Sequence, residues 1–234
     1  MIKIILINLL LTSVLFGQTY SLSGPSKGTT QKIAKRILTK AYNKAGFSVE
    51  FVNNSLSVSL VETNKGLYDG ETLRVKGIDK KYSNLIMVPV PIFSIDAAVF
   101  SKDKNLKIQS FNDLKGKKFG IVKGVKFIEK ATQNYKKIYK TNMQDAIESL
   151  ASGEIDILVF PNFAATAIVY NKKYKDIYRV TKSLKSLKLY HYVHKKNVDL
   201  VPILTSVLQE MKDKKEFLYI KNSVLQSIVN HKNK

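Results

Sequence analysis

Apolar positions along this chain switch between a helical and a strand period over almost its whole length. Ile33, Ile37, Leu38, Ala41, Tyr42 and Ala45 recur at steps of three and four, the stripe of an amphipathic helix, with Thr29 and Thr30 as candidate N-caps and Gly46 just past its end. Residues 47–52 then read as a strand, and a second helix runs from Ser55 to Lys65 and stops at Gly66. Ser110 and Asp113 stand at capping-box spacing, residues 117–122 read as a short buried strand, and Gly124 opens another helix. Asn142, with Asp145 at N3, starts a helix that places Ile147 and Leu150 on its inner face and ends at Gly153. A continuous apolar strand follows at 155–160 (IDILVF), and then a helix from Asn162 to Tyr170.

Strands alternating with helices of this length predict βαβ units and a mostly parallel sheet covered on both faces, so the fold class is α/β. Two stretches break the alternation by reading as strands with no helix before the next region: 87–101 (MVPVPIFSIDAAVFS) and 187–194 (LKLYHYVH). Both are candidate crossovers between two lobes, with Asp96 paired or hydrogen-bonded at the hinge. If both cross, residues 18–99 and 190–234 make one lobe and residues 100–189 the other. The pattern shows no internal repeat.

The start of the chain has a different character. Residues 1–16 (MIKIILINLLLTSVLF) place one early charge, Lys3, before an apolar run, and small or polar residues follow directly. The run is shorter than the roughly 20 apolar residues that span a bilayer. It reads as a secretory signal peptide over residues 1–17, with an anchor helix or a buried strand as the alternative. No later stretch is long or apolar enough to cross a membrane, so the expected mature protein is exported and soluble, and a periplasmic location suits it.

Composition narrows the chemistry. The 234 residues include no cysteine, which excludes disulfides, thiolate metal sites and cysteine nucleophiles. Lys and Arg number 39 against 18 Asp and Glu, a formal charge of +21 that becomes +20 without Lys3. An apolar content of 44% is too high for a disordered basic tail, so the charge coats a folded protein. A polyanion partner is the first reading of such an excess. The lysines are nevertheless scattered through every predicted element instead of forming one arginine-rich stripe, so no nucleic-acid partner is expected.

Four segments carry a family resemblance: FNDLKGKKFGIVKG at 111–124, DAIESLASGEIDILVF at 145–160, YDGETLRVKGIDKKYSNLIMVPVPI at 68–92 and LYHYVHKKN at 189–197. In this order and spacing they resemble the periplasmic solute-binding proteins of the type that serves polar amino acid ABC transporters (family 3). The last two segments are similar to a subgroup whose ligands are mostly unassigned. The resemblance implies a type II two-lobed clamshell that closes on a small molecule by a hinge at the crossover strands. It also implies an ABC permease or a membrane sensor as partner, a monomer, and no cofactor. In amino-acid-binding members an arginine and a helix N-terminus with a hydroxyl residue clasp the ligand carboxylate, and an acid just after the strand matching 155–160 holds the amine. Here Pro161 and Asn162 stand where the acid would fall, and Val125 and Lys126 where the hydroxyl would. A bound ammonium would thereby lose a charge-assisted partner worth roughly 1.5–3 kcal/mol, which points away from a standard α-amino acid and toward a small polar anion.

The candidate ligand-binding residues are Glu71, Arg74, Lys123, Lys126 and Asn162. Arg74 is one of three arginines (with Arg36 and Arg179), in an expected cleft loop at 69–74, and can offer the bidentate fork that lysine lacks. The alternative is a structural ion pair with Glu71 or Asp69. Glu71 either accepts from a polar ligand or orients Arg74; Lys123 and Lys126 flank a helix N-terminus that favours an anion, or are solvated. Asn162 is a ligand donor or the N-cap of its own helix. His191 and His194 are an odd number of residues apart on a predicted strand, on opposite faces, so no metal site is expected. The competing class is an enzyme on the same scaffold, dehydratase-like or lytic transglycosylase-like, for which Glu71 is the one plausible acid or base. The other alternative is a protein that binds anionic surfaces.

Overall fold

The computed structural model describes residues 17–26, 28–162 and 174–232. After β1 (Thr19–Gly24), α1 (Thr29–Lys44) buries Ile33, Ala34, Ile37, Leu38, Ala41 and Tyr42, the stripe set by the three-and-four spacing. Its N-cap is Gly28, at φ 107, with no side-chain cap. Thr29 and Thr30 lie inside the first turn, which corrects their reading as caps: the entry backbone lies in a region that glycine adopts without strain and threonine does not. Next come β2 (Ser48–Asn53) and α2 (Leu56–Asn64), whose cap Ser55 accepts from the Val58 amide through Oγ.

Residues 69–74 do not form the loop expected of them. Gly70–Val75 is a strand, β3, parallel to β1 on one side and antiparallel to the return strand on the other. Its polar letters hide a buried strand because the polar side chains satisfy one another. Gly70 is the residue its packing demands: a Cβ there would stand 2.5 Å from the Tyr192 carbonyl oxygen.

A 17-residue strand, β4 (Leu85–Ser101), covers the first crossover stretch. Beyond it lie β5 (Phe119–Val122), α3 (Lys126–Ala131), β6 (Ile138–Lys140), α4 (Met143–Ser152) and β7 (Ile157–Pro161). Asn142 caps α4 by accepting from the Asp145 amide at 3.0 Å, and Gly153 ends it at φ 82. The helix expected over 162–170 lies, beyond Asn162, outside the described residues. The rest is β8 (Tyr178–Arg179), β9 (Lys185–His194), α5 (Leu200–Asp213) and α6 (Glu216–Lys232).

Among the described residues nine strands form one sheet, in the order β2-β1-β3-β9-β4-β7-β5-β6 with β8 beside β4. It consists of two parallel blocks. β1, β2 and β3 make one, and β5, β6 and β7 the other. The antiparallel pair β4 and β9 joins them. Each block has its own core. Leu22, Ile33, Leu38, Tyr42, Val88, Val193, Leu204 and Leu208 pack together in the first. In the second, Phe100, Leu158 and Phe160 pack on one face and Val99, Ile157 and Val159 on the other. The period of two thus turns the uninterrupted apolar run of β7 into a strand covered on both sides.

Candidate functional site

Because β1, β2 and β3 run parallel, their carboxyl ends, Gly24, Asn53 and Val75, share one edge of the first block. By the same argument Val122, Lys140 and Pro161 share one edge of the second. The register of β4 and β9 brings these edges face to face. Val75 pairs with Leu189 and Leu189 with Phe93; Pro161 pairs with Ala97 and Ala97 with Lys185. Only Ser94, Ile95 and Asp96 of β4, paired with Lys188, Leu187 and Ser186 of β9, lie between the two levels, an interval of roughly 13 Å. Small molecules bind open α/β sheets beyond the carboxyl ends of strands, where helix N-termini present unpaired amides. Here two such edges share one gap.

On the first block's side, Glu71 is wholly buried. Its Oε1 accepts from Ser59 Oγ at 2.6 Å and Thr63 Oγ1 at 2.9 Å, and its Oε2 from Arg74 Nε at 2.7 Å, with Arg74 Nη2 at 2.6 Å. The same Nη2 donates to the Leu56 carbonyl. Arg74 therefore ties β3 to the start of α2, and its partner is Glu71 and not Asp69, which is occupied by Ser21, Lys196 and Asn197. Burial pushes the Glu71 carboxyl above its ordinary value against the pull of Arg74 and the two hydroxyls. On a regular strand an odd separation would send these two side chains to opposite faces. The register of β3 against β9 shifts by one residue between them, a bulge that puts both on the same side.

On the second block's side, Lys123 is exposed and its backbone amide donates to the Lys140 carbonyl. Lys126, the first residue of α3, is paired with Glu129 at 3.0 Å. The other oxygen of Glu129 accepts from the Gly124 amide at 2.8 Å, and that bond, with Lys126, holds the carboxyl below its usual range. The place where an anion would meet the start of α3 is thus taken by a side chain of the helix itself. Asn162 Oδ1 accepts from Arg179 Nη1 at 2.9 Å. Neither Glu129 nor Arg179 was singled out from sequence. The Lys126–Glu129 spacing signalled the first, whereas the second comes from a strand 17 residues away.

The candidate residues therefore meet in pairs, Glu71 with Arg74, Lys126 with Glu129 and Asn162 with Arg179. Arg74 belongs to one block and Lys123, Lys126 and Asn162 to the other.

His191, fully buried, joins three elements. Its Nδ1 lies 2.7 Å from the Glu71 carbonyl oxygen and its Nε2 3.0 Å from the Tyr42 hydroxyl. A carbonyl only accepts, so Nδ1 carries the proton and Nε2 accepts from Tyr42, the neutral form. Burial pushes this imidazole down to about 4. His194 accepts the Lys196 amide through Nδ1. Among the described residues no three His, Asp or Glu side chains stand close enough to hold a metal ion, and no helix is long and apolar enough to cross a membrane.

No family model matches the chain, and no curated protein matches it in sequence. Solved structures do match in shape. The second substrate-binding domain of a putative amino acid ABC transporter from Streptococcus pneumoniae superposes with a TM-score of 0.69 at 18% identity, over 88% of this chain and 99% of that one. Substrate-binding domain 2 of Lactococcus lactis GlnP, in an open conformation, gives 0.67 at 17% identity, over 89% and 95%. A histidine kinase sensor domain with similarity to periplasmic binding proteins gives 0.60 at 15%, over 90% and 97%. At such identities the likeness speaks for architecture, and it agrees with the two blocks, the shared sheet and the opposed carboxyl edges: the chain has the two-lobed α/β fold of the type II periplasmic binding proteins.

Proposed function

We propose that the protein is an exported solute-binding protein of the family 3 type. It captures a small polar metabolite of amino-acid size in the gap between the carboxyl edges, for an ABC transporter or a membrane sensor. The observation that carries the reading is the register of β4 and β9, which leaves two parallel strand blocks facing each other across a few residues of ladder. The similar structures from Streptococcus pneumoniae and Lactococcus lactis are named as substrate-binding domains and the third as a sensor domain, which supports both roles. In this reading residues 18–99 and 190–234 form one lobe, 100–189 the other, and residues 1–17 are the export signal.

The ligand bears a carboxylate. Lys123 and Lys126 bring two positive charges to one edge against the single negative charge of Glu129, Arg179 and Asn162 supply donors near it, and no carboxylate follows β7 to receive an ammonium. Arg74 and Glu71 shape the opposite wall through α2, which leaves Glu71 no free oxygen for acid or base chemistry and favours binding over catalysis.

Thermal-shift screening against amino acids, the corresponding keto acids and other small carboxylates tests this. A ligand present at about 100 times its Kd stabilises by about 2.7 kcal/mol. The expected hit raises the unfolding midpoint, is recovered chemically unchanged, and loses affinity in Lys123→Ala/Lys126→Ala. A library without a single hit overturns the solute-binding reading, and hits confined to cations overturn the carboxylate.

A further inference from the structure

At the end of the second block remote from the gap, the amino-terminal starts of β5 and β6 open onto a hollow of about 690 Å³. Its apolar lining comes from the buried Leu114 and Phe119 together with Ile138 and Tyr135. Its rim carries five lysines, Lys115, Lys117, Lys118, Lys136 and Lys137. Elsewhere many lysines meet carboxylates, as Lys40, Lys44, Lys102, Lys126, Lys140 and Lys196 do. Among the described residues none of these five does. The nearest acid in sequence, Asp113, is committed to the Ser110 capping box and accepts from the Gln109 and Ser110 amides. Lys137 is held in place, its Nζ donating to the carbonyls of Thr132 and Tyr135. Asn112 accepts from the Tyr135 hydroxyl at 2.7 Å, which leaves its two amide hydrogens as donors on the rim.

We propose that this hollow is a binding site for phosphate-bearing anions, separate from the gap between the blocks and independent of its ligand. Five lysines around one concavity, with no ion pair among them and only the charge of Asp113 acting on Lys117, beside a fixed carboxamide, match an oxyanion that carries at least two charges. Lysine serves phosphate as a mobile point charge, which suits a group approached from several sides.

The test is calorimetric titration of the purified protein with inorganic pyrophosphate at low salt, beside co-sedimentation with vesicles of phosphatidylglycerol and phosphatidylcholine. The rim variant Lys117→Gln/Lys118→Gln/Lys136→Gln is compared with Lys65→Gln/Lys80→Gln/Lys81→Gln, which removes equal charge from exposed positions in the other block. We expect pyrophosphate to bind and its affinity to fall about tenfold in the rim variant while the control stays within about twofold. Vesicle binding alone, lost in the rim variant only, also supports the site and identifies the phosphate as a lipid headgroup. Equal loss in the two variants, or binding to neither probe, overturns it.

Discussion

Glu71 faces a guanidinium and two hydroxyls where water does not reach, and these partners offset the burial that works against its charge. Removing one partner of a buried pair costs about 3–5 kcal/mol, because the remaining charge has nothing to replace it, whereas replacing both by apolar groups of similar volume is often neutral. Arg74→Ala should therefore lose about that much in urea unfolding, and Arg74→Met/Glu71→Leu should recover most of it; a single variant as stable as the parent would show that the pair is dispensable. The alternatives at this position were legible in the sequence, since charges at Asp69, Glu71 and Arg74, spaced by two and three residues, admit both an ion pair and a ligand clamp. The choice was not. It depends on one extra residue in β3, and a bulge leaves no mark on the hydrophobic pattern. Lys126 is the counter-example, because its partner Glu129 lies one helical turn ahead.

At the scale of elements, His191 joins β9 to α1 through Tyr42 and to β3 through the Glu71 carbonyl. Its folded value of about 4 lies below the unfolded value of 6.5, so the unfolded chain binds the extra proton first. The stabilisation is complete above pH 6.5 and is lost as pH falls toward 4, a difference on the order of 3 kcal/mol. Denaturant midpoints measured from pH 7 to pH 4.5 should fall in the parent and stay flatter in His191→Gln; parallel curves would remove His191 from this role. Elements set by glycine punctuation and caps were readable to within a residue or two, as at Gly46, Ser55, Asn142 and Gly153. So were the two crossover strands, whose apolar runs have no helix to separate them. β3 escaped because Glu, Thr and Arg at buried positions imitate a loop, and the cap of α1 because a glycine did the work assigned to two threonines.

For the molecule as a whole, the excess of positive charge works against compactness. Raising ionic strength from 0.01 to 0.15 M shortens the screening length from about 30 Å to about 8 Å. This weakens both the repulsion and the ion pairs, but the exposed pairs contribute at most about 1 kcal/mol each, while the repulsion acts across every lysine of a chain at +21. The thermal midpoint should rise with sodium chloride over that range, and a fall would mean that the ion pairs outweigh the net charge.

The order of strands also dictates an order of assembly. The second block draws its β5, β6 and β7 from one continuous stretch of chain, so its ladders can close among near neighbours in sequence. The first block cannot: β3 has β1 on one side, but its other neighbour, β9, begins only at Lys185. Glu71 meets Tyr192 across a separation of 121 residues, and loops of that length close late because their entropy must be lost before any contact repays it. While the chain is being made, β3 is an open edge, and the last strand to arrive turns two half-built sheets into one.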